Sequence, residues 1–144
     1  MKPLGVALVV ASQLLISVAW ISPSSAQAAE GPLESAATRW LQLLDQGRFD
    51  DAWNEGTPLL HKDITQSEWT QGTRRVRERF GTVQSRQLLA KDYQMHMEDA
   101  PDDNYFTLRY LTSFTDGRPS AVELITLVLA PDGQYRPAAY GLKR

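Results

Sequence analysis

One change of rhythm governs what this chain can become. Up to Phe80 apolar residues recur every three or four positions, and from Thr82 onward they alternate. The first spacing lays apolar groups along one stripe of a helix; the second puts them on one face of a strand. A chain that spends its helices first and its strands afterwards keeps the two apart. That order defines an α+β domain with helices packed on one face of an antiparallel sheet.

Three helices are predicted. Leu33, Ala36, Ala37, Trp40, Leu41 and Leu44 fall on one helix face, with Pro32 suited to a first helical position and Gly47 to the stop. Phe49, Ala52 and Trp53 continue the period in a short second helix, which Gly56 and Pro58 end. The third has the clearest start in the chain. Thr65 and Glu68 form a Thr-x-x-Glu capping box, Ile64 and Trp69 occupy the flanking staple positions, and Gly81 closes it. Trp69, Val76 and Phe80 share one face, and the remainder, with Arg74, Arg75, Arg77 and Arg79 beside Glu78, reads as a solvated basic face laced by helical ion pairs.

Four strands follow, near Val83 to Met97, Tyr105 to Thr115, Ser120 to Ala130 and Gln134 to Lys143. Asp116-Gly117 and Pro131-Asp132-Gly133 are turn signals, and short links of that kind join antiparallel neighbours. Phe106, Leu108, Tyr110 and Phe114 point to one side of the second strand. The third strand is apolar on both sides, with Val122, Leu124 and Val128 against Ile125, Leu127 and Leu129. Three helices do not easily cover two apolar faces, so the outer face is expected to meet a second copy of the chain as a homodimer through the sheet. Pro137 removes a ladder donor, which places the last strand at an edge or a bulge.

Before these elements lies a different kind of segment. Lys2 is followed by an apolar stretch from Leu4 to Ile21 and by a small-residue region ending in Ala26-Gln27-Ala28, the pattern of a secretory signal peptide cleaved after Ala28. Residues 1–28 are thus expected to be removed, leaving residues 29–144 as one domain, periplasmic or secreted, with no stable membrane anchor after cleavage. The 144 residues are 42% hydrophobic and carry a formal net charge of −2. Loss of the segment, whose one charged residue is Lys2, leaves the rest more acidic still. Nucleic acid is therefore excluded as a main partner. With no cysteine there is no disulfide, thiolate metal site, catalytic thiol or cysteine-linked lipid anchor.

With helices and strands placed, the chain resembles a bacterial family of exported proteins, domain of unknown function 4019, from about Ala36 to Arg144. The resemblance is carried by Trp40-Leu41, Asp45, Gly47, Trp53, Trp69, Arg77, Gly81, Ser85-Arg86, Pro101-Asp102, Tyr105, Thr112-Ser113-Phe114, Ala121-Val122-Glu123, Thr126-Leu127-Val128, Tyr135-Arg136 and Tyr140. It implies the cone-shaped, cystatin-like fold of the nuclear-transport-factor-2 kind, in which a curved four-stranded sheet wraps helices around a pocket. It implies no reaction. Met95 to Asp99 stands where that family has a shorter turn, and Pro137 sits inside the last strand.

Candidate chemistry is sparse. Trp40, Trp53 and Trp69, one per helix, are candidate pocket walls facing Tyr110 or Tyr140, although large aromatics at helical spacing more often build core. Arg86 and Glu123 lie on different strands and can meet across the sheet, Arg86 as an anion anchor and Glu123 as a base whose pKa an apolar cleft would raise toward neutrality. A structural ion pair accounts for both as well. Asp92 and His96, four apart in one strand, form a weaker acid–base candidate. His61 and His96 lack ligand spacing, and the acidic run Glu98 to Asn104 lacks the order of a calcium loop, so neither a metal nor a cofactor is expected. The sequence reads as a non-catalytic domain that binds a small apolar ligand or an envelope protein. Two alternatives stay in view. One is a pocket hydrolase or isomerase with Glu123 or Asp92 as base and Tyr110 or Tyr140 as donor; the other is a structural envelope subunit acting through its sheet face.

Overall fold

The computed structural model describes residues 30–144, so the signal-peptide segment and its cleavage after Ala28 lie outside the described residues. Three helices precede four strands: α1 (Pro32–Asp45), α2 (Phe49–Asn54), α3 (Gln66–Phe80), β1 (Val83–Gln94), β2 (Tyr105–Phe114), β3 (Ala121–Leu129) and β4 (Tyr135–Lys143). The strands form one antiparallel sheet in the order β1-β2-β3-β4. None of the described helices is long and apolar enough to cross a membrane.

α1 and α3 carry local start and stop chemistry. Pro32 opens α1, Glu34 lies in its first turn against the positive helix end, and Gly47 past the last turn takes φ 71°, a conformation costly for any residue with a Cβ. At the start of α3 the capping box is complete: Thr65 accepts from the Glu68 N–H at 3.3 Å, and Glu68 accepts from the Thr65 N–H at 2.9 Å.

α1 packs on β3 and β4, and α2 joins α1 to α3. Trp40, Leu41 and Leu44 of α1 meet Leu108, Ile125 and Leu127 of the sheet in a core from which water is excluded. Full burial of a side chain of this size stabilises by about 1.5–3 kcal/mol before entropy is counted. These contacts fix α1 over the middle of the sheet.

The second apolar face of the sheet is covered in part by the chain itself. Tyr105, Val128 and Ala138 form a separate buried cluster there, capped by Leu59 from the α2–α3 link and by Met97 and Ala100 from the β1–β2 loop. The sequence pattern leaves this face to a second copy of the chain, and loops of the same chain cover part of it. Leu111 stays 39% exposed further along that face.

β1 is shorter than its sequence pattern predicts. It stops at Gln94, and Met95 to Met97 leave the sheet, because the chain turns back there: the Asp103 N–H bonds the Met95 carbonyl at 3.1 Å and Lys62 Nζ holds the Asp99 carbonyl at 2.7 Å. Pro137 behaves as a proline in a sheet must. β4 is an edge strand, and its register with β3 slips between Thr126 and Leu127, beside that proline.

Candidate functional site: a buried charge network between helices and sheet

The polar centre of the molecule draws on both helices and strands. α1 ends on Asp45, the last turn of α3 supplies Arg77, β1 supplies Arg86, β2 Thr112, β3 Glu123 and β4 Tyr140 through its inward face. Glu123 is fully buried. Its Oε1 accepts from Arg77 Nη1 at 3.0 Å and from the Tyr140 hydroxyl at 2.8 Å; its Oε2 accepts from Arg86 Nε at 2.5 Å and Thr112 Oγ1 at 2.9 Å. Asp45 takes the outer side of both guanidinium groups, bonded to Arg77 Nη2 and, through both oxygens, to Arg86 at 2.5 and 2.7 Å. Two cations and two anions thus close on one another, and among the described residues no buried side-chain nitrogen or oxygen lacks a partner. A cleft of about 350 Å³ reaches Asp45 and Arg77 from outside, so Asp45 is the member of the network nearest solvent.

The electrostatics follow from this packing. Burial pushes the Glu123 carboxyl up, but Arg86, Tyr140 and Arg77 outweigh it and hold the group below the usual carboxylate range. Burial likewise opposes the charge on Arg86, and its bonds to Asp45 and Glu123 more than restore it, so the guanidinium pKa rises. Burial first, then the Glu123 charge, push the Tyr140 hydroxyl up. Tyr110, pushed up to about 12 chiefly by burial, is neutral across the physiological range.

Glu123 therefore differs from the base expected in an apolar cleft. Its pKa moves down and not toward neutrality, because two arginines rather than hydrocarbon surround it, and its lone pairs are occupied. A general base needs a free lone pair and a pKa near the working pH, and this carboxylate has neither. Asp92 and His96 are not brought together. The strand ends between them, Asp92 bonds Arg109 at 3.1 Å, and His96 bonds Asp102 at 2.6 Å, all four side chains being exposed.

The three tryptophans do converge, and what they line is mostly one another. Trp40 is fully buried, its indole N–H donates to the Ala52 carbonyl at 2.8 Å, and its ring meets Tyr140 edge-on at 5.4 Å and Trp69 at 6.3 Å. Trp53 lies 5.7 Å from Trp69 and stacks on His61 at 3.9 Å. Tyr110 joins the same core. Of these rings, Trp69 and Tyr140 also border an open groove of about 370 Å³ between α3 and β4. Among the described residues no three His, Asp or Glu side chains gather as a metal site.

Arg77 and Asp45 are the site residues that sequence reasoning misses. In sequence Arg77 sits with Arg74, Arg75 and Arg79 on a face that reads as solvated, yet it is 8% exposed. The signal is present: position 77 lies eight residues after Trp69 and four after Thr73, on the inward stripe of α3. For Asp45 only its place at the end of the α1 stripe points inward.

Fold and site together define the class, a small α+β domain in which three helices close on a four-stranded meander over a neutralised charge network. The family described as Protein of unknown function (DUF4019) matches residues 36–140, and the chain belongs to that family. No curated protein matches it. Among solved structures it is similar to a protein from Catenulispora acidiphila determined at 2.5 Å, with 22% identity over 78% of this chain and 88% of that one and a TM-score of 0.47. A 2.35 Å structure from the same organism, in complex with S-DNPA, has 22% identity, coverage of 77% and 89%, and a TM-score of 0.47. Aln2 from a Streptomyces species has 14% identity, coverage of 78% and 88%, and a TM-score of 0.48.

Proposed function

We propose that this chain is an exported, non-catalytic interaction domain of the cell envelope, its helices and sheet forming a filled cone of the nuclear-transport-factor-2 kind. The observation that carries this is the saturation of Glu123: the carboxylate best placed for chemistry is held by Arg77, Arg86, Tyr140 and Thr112. The interior around it is packed with tryptophan. A domain whose centre is filled and neutralised presents function on its surface. The leader pattern before Ala29 supports export, and the half-covered second face of the sheet, with Leu111 exposed and Val122 and Leu124 half-buried, is where a second copy would sit.

The test has two parts. The intact mass of protein from the periplasmic fraction is expected to be that of a chain beginning at Ala29, and a photo-reactive amino acid placed on the exposed surface is expected to trap a discrete envelope protein or a second copy. An uncleaved chain in the cytosol, or turnover of a small molecule that Glu123→Gln abolishes while the fold survives, would refute the proposal. Light scattering on the mature domain addresses the homodimer, which a monomer at high concentration rules out.

A further inference from the structure

The outer side of β4 is used once. Thr57 N–H donates to the Pro137 carbonyl at 2.8 Å, and among the described residues no other backbone bond leaves β4 on that side. Beyond this point the α2–α3 link turns away, and a groove of about 370 Å³ opens between α3 and the second half of β4. Ile64, Trp69 and Val76 wall it from one side, Tyr140 and Leu142 from the other. An unpaired strand edge beside an apolar groove holds two of the elements by which an extended segment is recognised: main-chain groups to bond, and a pocket for alternate side chains.

Two glycines sharpen the case. Gly72 lies inside α3 and Gly141 inside β4, and both border this groove. Neither has positive φ, and a Cβ at either would meet no atom within 4 Å. Nothing within the chain requires glycine at these positions, and a helix-interior glycine costs roughly 1 kcal/mol relative to alanine. Glycine inside an element, with open space where its side chain would be, leaves room for another backbone to approach closely.

The charges select the occupant. Glu68, the one charged residue bordering the groove, is engaged by Thr65 at the start of α3, whereas the cations beyond its walls are free to meet a ligand. Arg75 and Arg79, three residues past Gly72 and Val76 on α3, are exposed, as are Lys143 and Arg144 at the end of β4. β4 itself carries Arg136 and Lys143 and no carboxylate, so pairing two copies of β4 edge to edge would set cations against cations. We propose that an extended segment of a partner protein adds to β4 from Ala139 to Lys143 as a fifth strand. Its alternate apolar side chains would enter the groove against Trp69, and its acidic side chains would meet Lys143, Arg144 and Arg79. This deepens the interaction-domain reading, on which it rests.

A random-peptide phage library selected against the full chain is expected to return peptides of alternating apolar pattern with acidic residues at one end. Gly72→Leu, which fills the groove from a position with free space, is expected to weaken their binding on the order of tenfold or more; Leu111→Lys on the outer sheet face is expected to leave it unchanged. Independently of any variant, a bound peptide should slow hydrogen exchange at amides between Ala139 and Lys143. Failure to select binders, indifference to Gly72→Leu in a folded variant, or protection confined to the outer face of β2 and β3 would each overturn the groove. Protection on the outer face would leave the interaction-domain reading standing. Peptides that bind at β4 while neither an envelope protein nor a second copy is trapped in the cell would reject that reading instead.

Discussion

Arg77 and Glu123 lie 46 positions apart in sequence and meet at 3.0 Å, the helix layer reaching through the core to the centre of the sheet. The bond joins a guanidinium 9% exposed to a carboxylate with no exposure at all. Such a pair gives little net stability against an apolar replacement of the same shape, but removing one member is costly, because it strands the other charge in a dry interior.

Glu123→Gln is therefore expected to destabilise the fold by about 3–5 kcal/mol. Glutamine keeps the shape and leaves Arg77 and Arg86 sharing Asp45 alone. Urea unfolding at neutral pH measures this, and a midpoint within error of the parent would contradict it.

The same carboxylate contributes to the acid limit, beside Glu34, Glu68 and Asp132, whose carboxyls are also held low by their partners. Glu123 is held below its ordinary value of 4.5 in the folded chain. As pH falls below that value the unfolded chain gains a proton that the folded chain refuses. The contribution is complete above the unfolded pKa and is lost as pH falls through the folded one. At the alkaline end the sign reverses. Tyr110, raised from 10.0 to about 12, and Tyr140, raised further, favour the neutral form in the folded state, so their contribution is lost as pH climbs from about 10 through the folded values. Unfolding midpoints across pH, followed by tyrosinate absorbance at the high end, test both arms. In Glu123→Gln the loss of stability below the ordinary carboxylate range is expected to be shallower than in the parent.

Two glycines of α3 and its cap should respond to alanine in opposite directions. At Gly72 the backbone is helical and the space open, so Gly72→Ala is expected to stabilise by about 0.4–1 kcal/mol. At Gly81, φ is 93° and a Cβ would come within 3.2 Å of the Arg118 side chain, so Gly81→Ala is expected to destabilise by more than about 1 kcal/mol. Thermal melts of the two variants displaced to the same side would refute the contrast.

Thr65→Ala removes the acceptor for the Glu68 N–H and is expected to cost about 1 kcal/mol, whereas Thr65→Ser keeps the hydroxyl and most of the stability. Fraying of the first turn of α3, read by amide exchange at Ser67 and Glu68, should accompany the alanine variant only.

Local chemistry is legible in the sequence wherever it acts over a few residues. The capping box at Thr65 and Glu68, the switch of period after Gly81, the turns at Asp116-Gly117 and Asp132-Gly133 and the proline at the sheet edge each state their structure in adjacent positions. The network is only half legible. Arg86 and Glu123 announce themselves as charges within apolar strands, but Arg77 is hidden among three arginines that do face water. Its depth is visible only by indexing it against Trp69. Asp45 carries no local mark of its partners, which arrive from α3 and β1. The end of β1 is illegible for a related reason: what turns the chain at Met95 is a bond from Asp103 and a contact from Lys62, neither of them adjacent in sequence.

Because β3 and β4 supply Glu123 and Tyr140, the two guanidinium groups of Arg77 and Arg86 have only Asp45 to meet until nearly the whole polypeptide has been synthesised. Assembly of the interior is thereby deferred to the final stretch of translation. A nascent chain that has not yet released its C-terminal strand remains unfinished at its heart.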